Sequence, residues 1–131
     1  MKIFIDTNIF LDLLLKREGF EKALLIFNAI EKKLFSATIL DITILNIDYI
    51  ASKQVKDIKA FLNLVNKHFE VVGATNEMID FALQMQNSDL EDNLQYICAK
   101  KQKCECIITN DKNFYSPDIE VLTSSEFSER I

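Results

Sequence analysis

Asp6, Asp92 and Asp111 are the side chains around which this sequence can organise a reaction. Asp6 and Asp111 each follow a short apolar run closely, and Asp92 lies in the first turn of a helical stripe. Three carboxylates gathered at one low-dielectric rim repel and raise one another's pKa unless a cation compensates them. Hard oxygen ligands of this kind suit Mg²⁺ or Mn²⁺. The single histidine, His68, precedes an apolar run, which disfavours zinc and histidine-based acid–base chemistry. Cys104 and Cys106 have the spacing of residues on one strand face, and no CxxC pair accompanies the three cysteines; they read as buried reduced thiols.

Each acid also has a purely structural use. Asp6 can cap the helix that follows it, Ser88-x-x-Glu91 has the capping-box pattern, and Asp89 or Asp92 in a first turn complements the helix dipole. Asp111 lies in Asn110-Asp111-Lys112-Asn113, a turn-forming sequence. Taken singly these uses outweigh catalysis; convergence on one rim reverses the balance.

That convergence depends on the elements carrying them. Lys2 to Ile5 is a short apolar strand running into Asp6-Thr7-Asn8. Ile9, Phe10, Leu13 and Leu14 form a helical stripe, and Phe20, Ala23, Leu24, Phe27 and Ile30 form a second after Gly19. Leu34 to Leu40 reads as strand, with Asp41 as cap of a helix to about Ser52. A helix on Ile58, Phe61, Leu62 and Val65 leads to a strand at Phe69 to Val72. Helical faces on Met78, Phe81, Ala82 and Met85, and on Leu90, Leu94, Ile97 and Cys98, precede a strand at Cys106 to Thr109. A short strand around Val121 and Leu122 leads to a terminal helix capped by Ser124 or Ser125. Repeated β-then-α units predict an α/β fold, a mostly parallel sheet with helices on both faces. Ligands of such sheets bind outside the carboxyl ends of the strands. Asp6 and Asp111 should therefore share the upper rim, and the helix carrying Asp92 should begin there too.

The 131 residues are 49% hydrophobic and 27% charged, with two glycines and one proline. That excludes a collagenous or disordered chain and leaves one domain over residues 1–131. The apolar runs, such as Phe10 to Leu15 apart from Asp12, fall short of the roughly 20 residues of a membrane helix. With an acidic residue already at Asp6 there is no room for a secretory signal, so a cytoplasmic location is expected. The net charge of −5 argues against simple electrostatic capture of nucleic acid. The Lys53, Lys56, Lys59 and Lys100, Lys101, Lys103 runs read first as solvated faces, with phosphate contact as the lesser use.

KIFIDTNIFLDLLLKRE, LEDNLQYICAKKQKCECIITNDKNF and VLTSSEF together resemble a PIN domain of the VapC-like ribonuclease toxins, over essentially the whole chain. The opening DTNxxLD and closing TND-x-x-F carry the resemblance. It implies a five-stranded parallel sheet and an acidic pocket binding Mg²⁺ or Mn²⁺ for hydrolysis of RNA phosphodiesters. It also implies neutralisation by a small antitoxin protein. The family's acids fall on Asp6, Asp92 and Asp111, and Asn8 and Thr109 match residues that steady the pocket. One or two bound ions would activate a water for in-line attack, with no nucleophilic side chain, and two divalent ions would outweigh the three carboxylates and turn the pocket slightly cationic, reconciling an acidic protein with RNA.

Two positions depart from the family. Its second acid, usually a glutamate, falls on Asn46, with Asp41 or Asp48 as substitutes in another register; restoring Glu there is expected to tighten Mn²⁺ binding by about tenfold. The acid before the closing Phe is replaced by Asn113. The alternatives are a catalytically weakened PIN-like module that binds RNA or a partner, and a phosphoacceptor receiver domain, which lacks its mid-chain acceptor here. A homodimer is expected as well, on the apolar surface around Ile9, Phe10, Leu13 and Leu14.

Overall fold

The computed structural model describes residues 1–131, in five strands and seven helices. The strands are β1 (Lys2–Ile5), β2 (Ser36–Leu40), β3 (Glu70–Val72), β4 (Cys106–Ile108) and β5 (Glu120–Leu122). The helices are α1 (Thr7–Leu14), α2 (Phe20–Glu31), α3 (Asp41–Ala51), α4 (Ile58–His68), α5 (Asn76–Gln84), α6 (Leu90–Lys101) and α7 (Ser124–Ser128). All strand pairs are parallel, in the order β3-β2-β1-β4-β5. The expected α/β single domain with a five-stranded parallel sheet is what forms. No helix is long and apolar enough to cross a membrane.

Alternation along the strands divides the core in two. Ile3, Ile5, Ala37, Ile39, Cys106 and Ile108 join the cluster under α1 to α4 and α7. Phe4, Leu40 and Ile107, one residue out of phase, join the cluster under α5 and α6. A sheet buried on both faces needs such near-continuous apolar strands. Cys106 belongs to the first cluster and Cys104 to the second, so the two thiols do not share a face. Cys104 precedes β4, where the two-residue alternation does not apply. All three cysteines are free and buried, and burial pushes Cys98 up to about 12 and Cys106 up to about 11.

The α1 stripe turns inward. Ile9 and Phe10 are fully buried, and Phe10 packs its ring against Phe27, Phe61 and Phe69. Leu13 and Leu14 are partly buried against the same cluster. Of the surface invoked for a homodimer, Ile9 and Phe10 are therefore core, with Phe27 of α2 and Phe61 of α4 against Phe10, whereas Leu13 and Leu14 stay partly exposed.

Several helix ends differ from expectation. Leu40, not Asp41, is the N-cap of α3. Asp89, not Ser88, caps α6 by accepting the Asp92 N–H. Thr123 caps α7 in a reciprocal box with Glu126. Three helices end on lysines in the left-handed region, Lys16, Lys33 and Lys103, with φ of 51°, 64° and 57°. After α2 and α6 the paired Schellman bonds form, Lys33 N–H to Ile30 and Leu34 N–H to Ala29, then Lys103 N–H to Lys100 and Cys104 N–H to Ala99.

Candidate active site

Strands β2 and β3 lie to one side of β1, and β4 and β5 to the other. The chain therefore changes direction between β1 and β4, and in open parallel sheets that point leaves a crevice beyond the carboxyl ends. Ile5 pairs with Ile108, so Asp6 and Thr109 leave the sheet side by side. The Asp6 N–H donates to the Ile108 carbonyl at 3.0 Å. From there α1, α3 and the N-terminus of α6 wall a cavity of about 260 Å³, lined by Asp6, Thr7, Asn8, Leu11, Asn46, Ile50, Asp89, Glu91, Asp92 and Asp111.

Asp6 is only 3% exposed and makes no capping bond to α1. Its Oδ2 accepts from Thr109 Oγ1 at 2.7 Å and from Asn8 Nδ2 at 3.5 Å, and its Oδ1 accepts from Gln95 Nε2 at 3.1 Å. Thr109 Oγ1 also accepts the Asp111 N–H at 3.0 Å, coupling both acids through one hydroxyl. Asp111 Oδ1 accepts the Asn113 N–H at 2.9 Å, which sets the turn. On α3, the Asn46 amide donates to Glu91 Oε1 at 3.0 Å. Asn93 faces away and ties the α5–α6 loop by donating to the Ala82 and Asn87 carbonyls.

The cavity wall carries five carboxylates and no basic side chain, and none of the five takes part in an ion pair. Burial raises Asp6, against the lowering effect of Thr109 and Gln95. Burial also raises Asp92, with Asp89, Asp6, Asp111 and Glu91 adding to it, to about 7. Glu91 is raised by desolvation and by Asp6 and Asp89, against the Asn46 bond. Negative charge thus accumulates here without local compensation.

The acids share the cavity wall without closing to a point, and no three His, Cys, Asp or Glu side chains form a ready-made metal cage. The donor set is all oxygen, which fits a hard divalent cation and not zinc. One further feature fits a polar occupant: Gln95 Oε1, on the amide that holds Asp6, is the one buried side-chain polar atom without a partner.

Asp6, Asp92, Asp111, Asn8, Asn46 and Asp89, all singled out in the sequence, line this cavity, and Thr109 stands behind Asp6. Asp41 and Asp48 do not line it. Sequence reasoning missed Gln95 and treated Glu91 only as a capping residue. Gln95 lies three positions after Asp92, a spacing that puts both on one helix face. Lys100 and Lys101 are engaged by Asp118, at 2.5 Å, and by Glu77, whereas Lys53, Lys56 and Lys59 have no ion-pair partner.

Comparison with known proteins agrees with this architecture. A family model described as PIN domain matches residues 2–113. Ribonuclease VapC1 of Aquifex aeolicus (strain VF5) is 36% identical over 143 aligned positions, covering 98% of this chain and 94% of that protein. Two solved structures share the fold. A toxin–antitoxin complex from Klebsiella pneumoniae superposes with a TM-score of 0.70 at 21% identity, over 93% of this chain and 97% of that one. VapBC2 from Rickettsia felis, bound to a DNA fragment from its promoter, gives 0.66 at 16% identity, over 94% and 98%.

Proposed function

This chain belongs to the PIN domain family and is VapC-like, and on that premise we propose that it is a Mg²⁺- or Mn²⁺-dependent endoribonuclease, the toxin of a toxin–antitoxin pair. The observation that carries the reading is the cavity at the β1/β4 crevice, with five carboxylates and no cationic side chain. Asp6, Asp92 and Asp111 would hold the cation. Once bound, it would supply a water of lowered pKa and offset charge on a phosphodiester.

The remaining work falls to the chain's own groups. Thr109, Gln95 and Asn8 hold the Asp6 carboxylate in one orientation, so little ordering remains when a ligand arrives. The N-terminus of α6, capped by Asp89, presents its partial positive charge to the cavity and eases the crowding of acids. Lys53, Lys56 and Lys59, from the end of α3 into the first turn of α4, and Lys112, next to the cavity-lining Asp111, are unpaired cations that would be available to flanking phosphates. A protein partner is supported by the apolar groove of about 190 Å³ between α2 and α4, lined by Leu13, Leu24, Phe27, Phe61 and Leu64 among others. Partner and self-association are separated by light scattering of the purified chain alone and together with any peptide that co-purifies with it.

The second reading, a catalytically weakened module that binds RNA or a partner, rests on Asn46 in place of the family's glutamate. Cleavage of an end-labelled RNA in Mn²⁺, abolished by EDTA and by Asp6→Asn or Asp92→Asn with an unchanged circular dichroism spectrum, supports the nuclease. RNA retention without cleavage by the parent chain supports the weakened module.

A further inference from the structure

We infer that Glu91 supplies the carboxylate missing at Asn46, and that Asn46 has become the residue that positions it; this rests on the metal-dependent reading above. Asn46 lies on the cavity wall, with its amide nitrogen 3.0 Å from Glu91 Oε1. With that NH₂ group spent on a carboxylate, Asn46 presents a cation with no charge and at most its Oδ1. Glu91 enters the same cavity from the opposite wall, on α6, next in the chain to Asp92. Its only hydrogen bond is the one from Asn46, it has no ion-pair partner, and Oε2 is free.

Neighbouring helical residues diverge by about 100° around the axis. An aspartate at position 91 would be too short to reach across to α3, whereas glutamate has one more methylene. The Asn46 amide then holds that longer, more mobile side chain against the cavity. Asp89, the remaining acid at this end of α6 besides Asp92, spends its Oδ1 on the Asp92 N–H as the α6 cap. The charge expected on α3 has thus moved to α6, and the interhelical bond marks the exchange.

Mn²⁺ binding by titration calorimetry, with metal-induced thermal stabilisation as a second readout, tests this on the whole chain. Glu91→Gln should weaken Mn²⁺ by about tenfold with no loss of metal-free Tm. Asn46→Ala, which keeps the charge and removes the tether, should weaken it by about threefold. Asp48→Asn, which removes an α3 charge from outside the cavity, should change it less than twofold. Glu91→Gln combined with Asn46→Glu should bind within about threefold of the parent. Glu91→Gln binding as tightly as the parent, or the double variant binding no better than Glu91→Gln alone, would overturn the inference while Asp92→Asn still abolishes binding. If the parent itself binds no Mn²⁺, or Asp6→Asn and Asp92→Asn bind as it does, the underlying metal reading fails instead.

Discussion

Replacing Asp92 by asparagine should stabilise the metal-free protein above neutral pH while removing its response to divalent cations. Asp92 is 7% exposed and has no ion-pair partner. Burial and its acidic neighbours raise it from 3.8 to about 7. A folded-state pKa above the unfolded one means that the folded chain holds the proton more tightly. The stability linked to Asp92 is therefore complete below about pH 4 and is lost as pH rises through about 7. A rise of this size corresponds to roughly 4 kcal/mol, an upper limit because neighbouring acids share the field. Asparagine is nearly isosteric and neutral, so it escapes that loss. Recovery of only half, about 2 kcal/mol, raises Tm by roughly 6–8 °C in a chain of this size. Thermal unfolding in EDTA should show the variant's advantage at least doubling between pH 5 and pH 8. In excess Mn²⁺ the order should invert, since each tenfold excess over Kd adds about 1.4 kcal/mol to a chain that binds and nothing to one that does not. A variant no more stable than the parent at pH 8 in EDTA would refute the reasoning, because the Asp92 charge would then be compensated within the folded chain.

Asn46→Glu alone would set a carboxylate against Glu91, now 3.0 Å from the Asn46 amide. It should lower the metal-free Tm and tighten Mn²⁺ by less than the tenfold expected from the sequence; calorimetry and melting in EDTA measure both. Lys103→Gly relieves a left-handed backbone at φ 57° and should add about 0.5–1 kcal/mol in urea unfolding, the strain removed less the extra entropy of an unfolded glycine. Loss of stability would mean that the lysine side chain matters more than its backbone. Cys98, Cys104 and Cys106 are buried with raised pKa values. Alkylation at pH 8 should therefore label none of them in native protein and all three in urea; fast native labelling of any one would contradict its placement in the core.

Local physics made much of this protein legible in its sequence. Each strand is a short apolar run, each helix an apolar stripe, and an acid that follows a strand in a parallel sheet stands on the rim wherever the strand lies. That much placed Asp6 and Asp111 on the rim, while Asp92, in the first turn of α6, also needed that helix to begin there. What decided the remainder was contact between residues distant in the chain. Thr109 reaches Asp6 across 103 residues, and Asn46 reaches Glu91 across 45; neither pairing has a local signature, because both follow from β1 lying beside β4 and α3 facing α6. A helical stripe announces that a face is apolar but not what covers it, so Ile9 and Phe10 read as an interface, whereas in the fold both are buried and α2 and α4 pack against Phe10. The helix stops at Lys16, Lys33 and Lys103 carried no glycine signal, and after α2 and α6 the left-handed lysine is held instead by a pair of backbone bonds back into the last turn. Residue type and period are properties of a segment, whereas burial, pairing and charge compensation belong to the space between segments, and only the folded chain defines that space.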